Sequence, residues 1–198
     1  VTAAPAQKGL KATIHGKAMF ICYDREVAFN LYNELKDLRP DWFIKRANAE
    51  DINVKEEDRR DLLPLEKVQL VATRAARDSK ELYELLGTKN HRETLANEFK
   101  KVESNFKIAI LVDMWITGFD VPSLDTMYID KPLHRHSLIQ TISRVNRIFK
   151  GKEKGVIVDY IGIKTSLAKA LKQYGGDIPD IEQNVQIAIQ IFKDQLAL

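Results

Sequence analysis

Phe106-Lys-Ile-Ala-Ile-Leu-Val112 is almost unbroken in its apolar character. That is the composition of a central strand covered on both faces. Four further runs read as strands: Lys17-Ala-Met-Phe-Ile-Cys-Tyr23, Val68-Gln-Leu-Val-Ala-Thr73, 124–129 and Gly155-Val-Ile-Val-Asp-Tyr160. Helical patterns lie between them. Asp24 is placed to cap a helix carrying Val27, Leu31, Leu35 and Leu38, which Pro40 ends. Two more follow at 80–86, closed by Gly87, and at 91–100, with Leu95 and Phe99 inward. A helix over 137–149 precedes the last strand, and 166–174 follows it. Strands alternating with helices predict an α/β fold with a mostly parallel central sheet.

The outer segments read differently. Residues 1–16 form a lead-in of small residues without a period. A chain beginning at Val1 with no initiator Met and no signal-like segment reads as a piece of something longer. The mixed charges of 45–62 predict a surface insertion. After the break at Gly175-Gly176, residues 177–198 carry one apolar stripe and predict a C-terminal helix.

Composition narrows the classes. Of 198 residues, 44% are hydrophobic and 30% charged, which excludes wholesale disorder. No apolar run is long enough to span a membrane. The single cysteine, Cys22, excludes an internal disulfide framework and fits a reducing, cytoplasmic compartment. His134 and His136 lack a third ligand nearby, so no metal site is expected.

The net charge of +3 alone says little about partners, but its distribution does. Residues 131–154 hold seven Lys/Arg and one acid, Glu153, a local +6. On a helix over 137–149, Leu138, Ile142, Val145 and Phe149 share one face, and Gln140, Arg144 and Arg147 share the other. Arginine presents a planar fork of donors that matches phosphate, so this face predicts an anion site. A second candidate segment is Asp113-Met-Trp-Ile-Thr-Gly-Phe-Asp-Val-Pro122, at the carboxyl end of the most apolar strand, where open α/β sheets bind ligands. Gly118 allows close backbone approach. Asp120 can accept from a ribose hydroxyl, hold an arginine, or simply make a turn. Trp115 reads as packing.

These strings resemble a known family. Asp113 and Thr117-Gly118-Phe119-Asp120-Val121-Pro122 are similar to motif V of superfamily 2 helicases and translocases, and Gln140-x-x-x-Arg144-x-x-Arg147 to motif VI. Within that superfamily DMWITGFDVPSLDTMYIDKPL, LIQTISRVNRIF and GVIVDYIGI resemble the restriction (R) subunit of type I restriction–modification enzymes. KAMFICYDREVAFNLYNEL resembles its motif IV region. The resemblance covers roughly residues 15–175 and implies a RecA-like three-layer lobe, the second of two in the motor, over 17–176. Residues 177–198 would then begin a helical region.

The resemblance also implies roles. Arg144 and Arg147 would act as arginine fingers on ATP, with Gln140, Asp120 and Gly118 at the nucleotide and Mg²⁺ held mainly by a first lobe. This chain has no G-x-x-x-x-G-K-[ST] string, so on its own it is expected to be catalytically silent. Thr117 would contact a DNA phosphate and Asp113 would couple nucleotide to DNA. Thr73 fits a phosphate contact less closely, because Arg74 stands where the pattern has glycine; Arg74 can substitute electrostatically. The implied partners are double-stranded DNA, the first lobe and nuclease domain of the same subunit, and methyltransferase and specificity subunits. Two other readings share these residues: a lobe of another superfamily 2 motor, and a non-catalytic module in which the basic helix only grips phosphate.

Overall fold

The computed structural model describes residues 16–49, 54–116, 118–133 and 155–162, together with residues 141, 144, 145, 147, 149 and 152. Its elements are β1 (Lys17–Cys22), α1 (Arg25–Leu38), a 3-10 turn (Pro40–Phe43), α2 (Glu56–Arg59), β2 (Val68–Val71), α3 (Lys80–Leu86), α4 (Lys89–Lys100), β3 (Ile108–Leu111), β4 (Leu124–Asp130) and β5 (Val156–Asp159). The lead-in up to residue 15, the helix at 166–174 and the helix at 177–198 lie outside the described residues, as do Thr117, His134, His136 and Gln140.

All five expected strands form, and they join one parallel sheet in the order β2-β3-β1-β4-β5. The chain first moves outward from β1 to β2, then reverses through β3 to β4 and β5. Right-handed crossovers therefore put α1, before the reversal, and α4, after it, on opposite faces, while α3 stays on the α1 face. α1 and α3 pack Ala28, Tyr32, Leu82 and Leu86 against Val68, Leu70 and Ile110 on one face. On the other, Leu95 and Phe99 of α4 join Met19, Ile21, Met127, Ile129 and Val145. The result is the three-layer RecA-like arrangement. Among the described residues no helix is long and apolar enough to cross a membrane.

Local chemistry sets the helix ends. Asp24 accepts from the Val27 amide at 2.9 Å, and Ser79 and Thr88 accept from Leu82 and His91 at 3.2 and 3.3 Å, each satisfying a donor that the helix leaves open. The buried face of α1 is offset from the expected stripe. Ala28, Leu31, Tyr32 and Leu35 pack inward, whereas Val27 and Leu38 are 38% and 64% exposed. Tyr32 explains the offset: its ring meets Phe43 edge-on at 5.1 Å and its hydroxyl donates to Glu66 at 3.1 Å. The aromatic has both an apolar body and a satisfied tip, so it takes the inward place.

The 45–62 stretch is not simply a solvated insertion. Arg46 bridges Leu65 and Asn48 bridges Ser104, both antiparallel, and Ala49 and Leu62 are buried. Lys101 ties the stretch down by donating to the Asp61 carbonyl.

Lys17 is the unusual core residue. Its side chain is 1% exposed, its ammonium nitrogen is 3.0 Å from the Phe106 carbonyl, and it lies 4.8 Å from the centre of the Phe99 ring. Burial, with help from Lys107 and against Glu98 and Glu103, holds its pKa down to about 6 from an ordinary 10.5. The unfolded chain keeps this proton up to about pH 10, so across the intervening range folding releases it, and stability rises with pH. Chemical unfolding between about pH 6.5 and 8.5 should show this group contributing a slope of at most about 1.4 kcal/mol per pH unit. Lys17→Met should be more stable at neutral pH and lack that slope. Parallel pH profiles for the two proteins would refute the assignment.

Candidate functional site

The carboxyl edge of the sheet gathers the residues singled out above. β2 runs into Thr73 and Arg74, β3 into Asp113, and β4 into Lys131. Among its described residues the loop from β3 to β4 contains no helix and folds back on itself through left-handed backbone. Asp113, Trp115 and Gly118 have φ of 57°, 61° and 74°. Two of these are not glycine, and a left-handed conformation at an ordinary residue costs on the order of 1–2 kcal/mol. Packing offsets the cost at Trp115, whose ring stacks on Phe119 at 4.2 Å and on Phe99 at 5.6 Å. At Asp113 the carboxylate meets the Lys131 ammonium. At Gly118 a side chain would touch nothing within 4 Å, so the glycine serves backbone conformation and leaves the peptide open to solvent.

Both arginines reach this loop, in different ways. Arg144 is half-buried and donates from Nε to the Ile116 carbonyl at 3.1 Å and from Nη1 to the Phe119 carbonyl. Its guanidinium pins the loop's backbone. Arg147 donates from Nη1 to Asp120 Oδ2 at 2.6 Å, and the two side chains are 50% and 46% exposed. The expected face with Arg144 and Arg147 side by side is therefore corrected. Thr141, Arg144 and Val145 are helical, Arg147 is not, and Phe149 forms an antiparallel bridge with Lys152. The helix ends before Arg147, and the Val145 carbonyl accepts from the Lys152 ammonium and lies against Gly155, where a Cβ would come within 2.2 Å of it. Arg147 consequently projects from the turn after the helix rather than from its face.

Lys152 was not singled out by motif reasoning. Its only sequence signal was membership of the basic 131–154 run. The inward face of that helix reads as expected at Val145, which is 1% exposed. Arg25 and Asp78 were also missed. Asp78 accepts from the Ala75 amide at 2.5 Å and pairs with Arg25 Nε at 2.9 Å, which fastens the 73–79 loop to the start of α1. On that loop Thr73 is exposed, and Arg74 lies over the Tyr83 ring at 4.2 Å. An open crevice of about 760 Å³ follows this edge, lined by Asp24, Arg25, Arg77, Asp78 and Asp113. Asp113 thus stands at one end of the β3–β4 loop beside the crevice, and the Arg147–Asp120 pair stands at the other.

Comparison with known proteins fits this architecture. A family model described as type I restriction enzyme subunit R domain 3 matches residues 15–162. A Methanocaldococcus jannaschii protein named as the type I restriction enzyme MjaIXP endonuclease subunit is 40% identical over 179 residues, 90% of this chain and 15% of the relative. The type I restriction enzyme HindI endonuclease subunit of Haemophilus influenzae is 34% identical over 188 residues, 92% of this chain and 16% of that protein. The chain therefore spans about one sixth of the length of these relatives. Among solved structures, the C-terminal part of the Fun30 ATPase domain overlaps with a TM-score of 0.44 at 15% identity, covering 88% of this chain and 48% of that one. The matched span runs from β1 through β5, and the chain belongs to the domain 3 family of type I restriction enzyme R subunits.

Proposed function

We propose that this chain is the second motor lobe of a type I restriction endonuclease subunit and supplies the cation that completes an ATPase site. The observation that carries the reading is the Arg147–Asp120 pair at 2.6 Å, half-exposed and two residues from an open Gly118 backbone. A guanidinium held by one surface carboxylate is preorganised yet available to a phosphate. The exposed peptide at Gly118, the Asp120 carboxylate and the Arg147 fork fit the ribose and phosphate of a nucleotide. ATP, with Mg²⁺ held mainly by the first lobe, supplies when bound the phosphoryl group whose transfer to water drives movement.

Arg147 is assigned the finger role, neutralising charge that develops on the phosphoryl oxygens. Arg144, whose donors are engaged by Ile116 and Phe119, is assigned to hold the loop in register for it. Gln140 and Thr117 keep their expected parts at nucleotide and DNA. The carboxyl edge of the sheet with Thr73, Arg74 and Asp113 is assigned to the backbone of double-stranded DNA, because a translocase reads phosphate rather than sequence. The rest of the assembly follows from the same reading: a first lobe and nuclease domain in one subunit, methyltransferase and specificity subunits beside it, and translocation ahead of cleavage in the cytoplasm.

Two measurements on the full-length subunit in its complex test this. Arg147→Ala should lower DNA-dependent ATPase turnover by about 10³-fold or more while leaving DNA affinity within about twofold. Equal loss of both, or retained turnover, would refute the finger. Arg74→Ala should reduce the slope of log affinity against log salt for nonspecific duplex by about one. An unchanged slope would remove Arg74 from the DNA path.

A further inference from the structure

We propose that Lys152 is a positioning residue for ATP hydrolysis, clamping the turn that carries Arg147 to the loop that carries Asp120. The inference rests on the finger reading of Arg147 and adds a residue that makes no contact with nucleotide.

Lys152 is 8% exposed, the one buried cation among the described residues of the 131–154 run. Its ammonium donates to the Leu124 carbonyl at 2.6 Å, to the Val145 carbonyl, and to the Pro122 carbonyl at 3.5 Å. An ammonium has three N–H donors, and these three acceptors use all of them. The acceptors come from two separate segments. Val145 lies in the last turn of the helix, which ends before Arg147, and a cation at its carbonyl meets the negative end of the helix dipole. Pro122 and Leu124 lie on the chain that leaves the Asp120 loop and enters β4.

The backbone completes the clamp. The Lys152 amide donates to the Phe149 carbonyl at 2.9 Å, closing the turn, and Gly155 sits against Val145. Arg147 is carried between Val145 and Lys152, so both ends of its segment meet at one ammonium. Asp120 is bracketed in the same way, by Arg144 on the carbonyls of Ile116 and Phe119 and by Lys152 on those of Pro122 and Leu124. Each member of the exposed pair therefore has its backbone fixed by the same buried charge. Burial lowers the Lys152 pKa, opposed by Asp125, as expected where an ammonium replaces its water with protein carbonyls.

The test uses the full-length subunit in its complex with DNA, comparing Lys152→Met, Lys152→Arg and Arg147→Ala. Assays run at least about 10 °C below each variant's Tm, so that unfolded protein does not contribute. Lys152→Met keeps the stem and removes the clamp; kcat for ATP should fall about 10²-fold, with KM for ATP and DNA affinity within about twofold. Lys152→Arg keeps the charge, but its planar fork cannot serve three carbonyls in the same directions, so kcat should fall about tenfold with KM again unmoved. A rise in KM or a loss of DNA affinity matching the loss of kcat would show general damage and overturn the proposal. So would full kcat in either folded variant, or failure of both to fold, which would make Lys152 a stability residue only. If Arg147→Ala itself retains turnover, the finger reading fails first. If Arg147→Ala is inactive and folded Lys152→Met is not, the clamp alone fails.

Discussion

Arg144 holds two backbone carbonyls of the β3–β4 loop, and the rest of the site is built on that attachment. A loop with left-handed residues at Asp113, Trp115 and Gly118 leaves peptide groups with no regular partners. A guanidinium can satisfy two of them at once because its donors are fixed in one plane. The attachment sets where Phe119 enters the core and where Asp120 leaves it. With the loop fixed, Asp120 is free to present its carboxylate to Arg147. The two arginines thus differ: Arg144 is engaged by backbone, and Arg147 pairs with Asp120 at the surface.

A similar device recurs across the fold. Lys17, Lys107 and Lys152 are all nearly buried, and each brings its ammonium nitrogen to main-chain carbonyls: Phe106, Val102, and the trio around Val145. An amine group is compact and its donors rotate, so it can join carbonyls from segments that do not share a ladder. The cost is lost hydration, which lowers the pKa of Lys17 and of Lys152. These lysines mark places where the parallel sheet hands over to irregular chain.

Much of the fold was legible in the sequence because the signals were local. Five apolar runs gave five strands, and Asp24, Ser79 and Thr88 cap helices by contacts three residues away. The face of α1 holds at Leu31 and Leu35 but not at Val27 and Leu38, because a distant Phe43 and Glu66 reward Tyr32 for turning inward. The apolar periodicity of 137–149 continues through Phe149, yet Arg147 is not helical, and Lys152 and Gly155 meet Val145 from farther along the chain. The left-handed backbone at Asp113 and Trp115 had no glycine to announce it. The candidate site was therefore legible as a list of residues on two segments. The difference between the two arginines was not, since it depends on which carbonyls the loop exposes.

The order of strands has a consequence for the nascent chain. β1 sits at the centre of the sheet, yet both of its neighbours, β3 and β4, come from residues 108–111 and 124–130. At ribosomal rates of about 5–20 residues per second, β1 waits roughly 5–20 s for its first partner strand to be made. During that time Met19, Phe20 and Ile21 have no ladder to join, and closing so long a loop is slow. The innermost strand is thus the one that most needs shelter while the polypeptide is being synthesised.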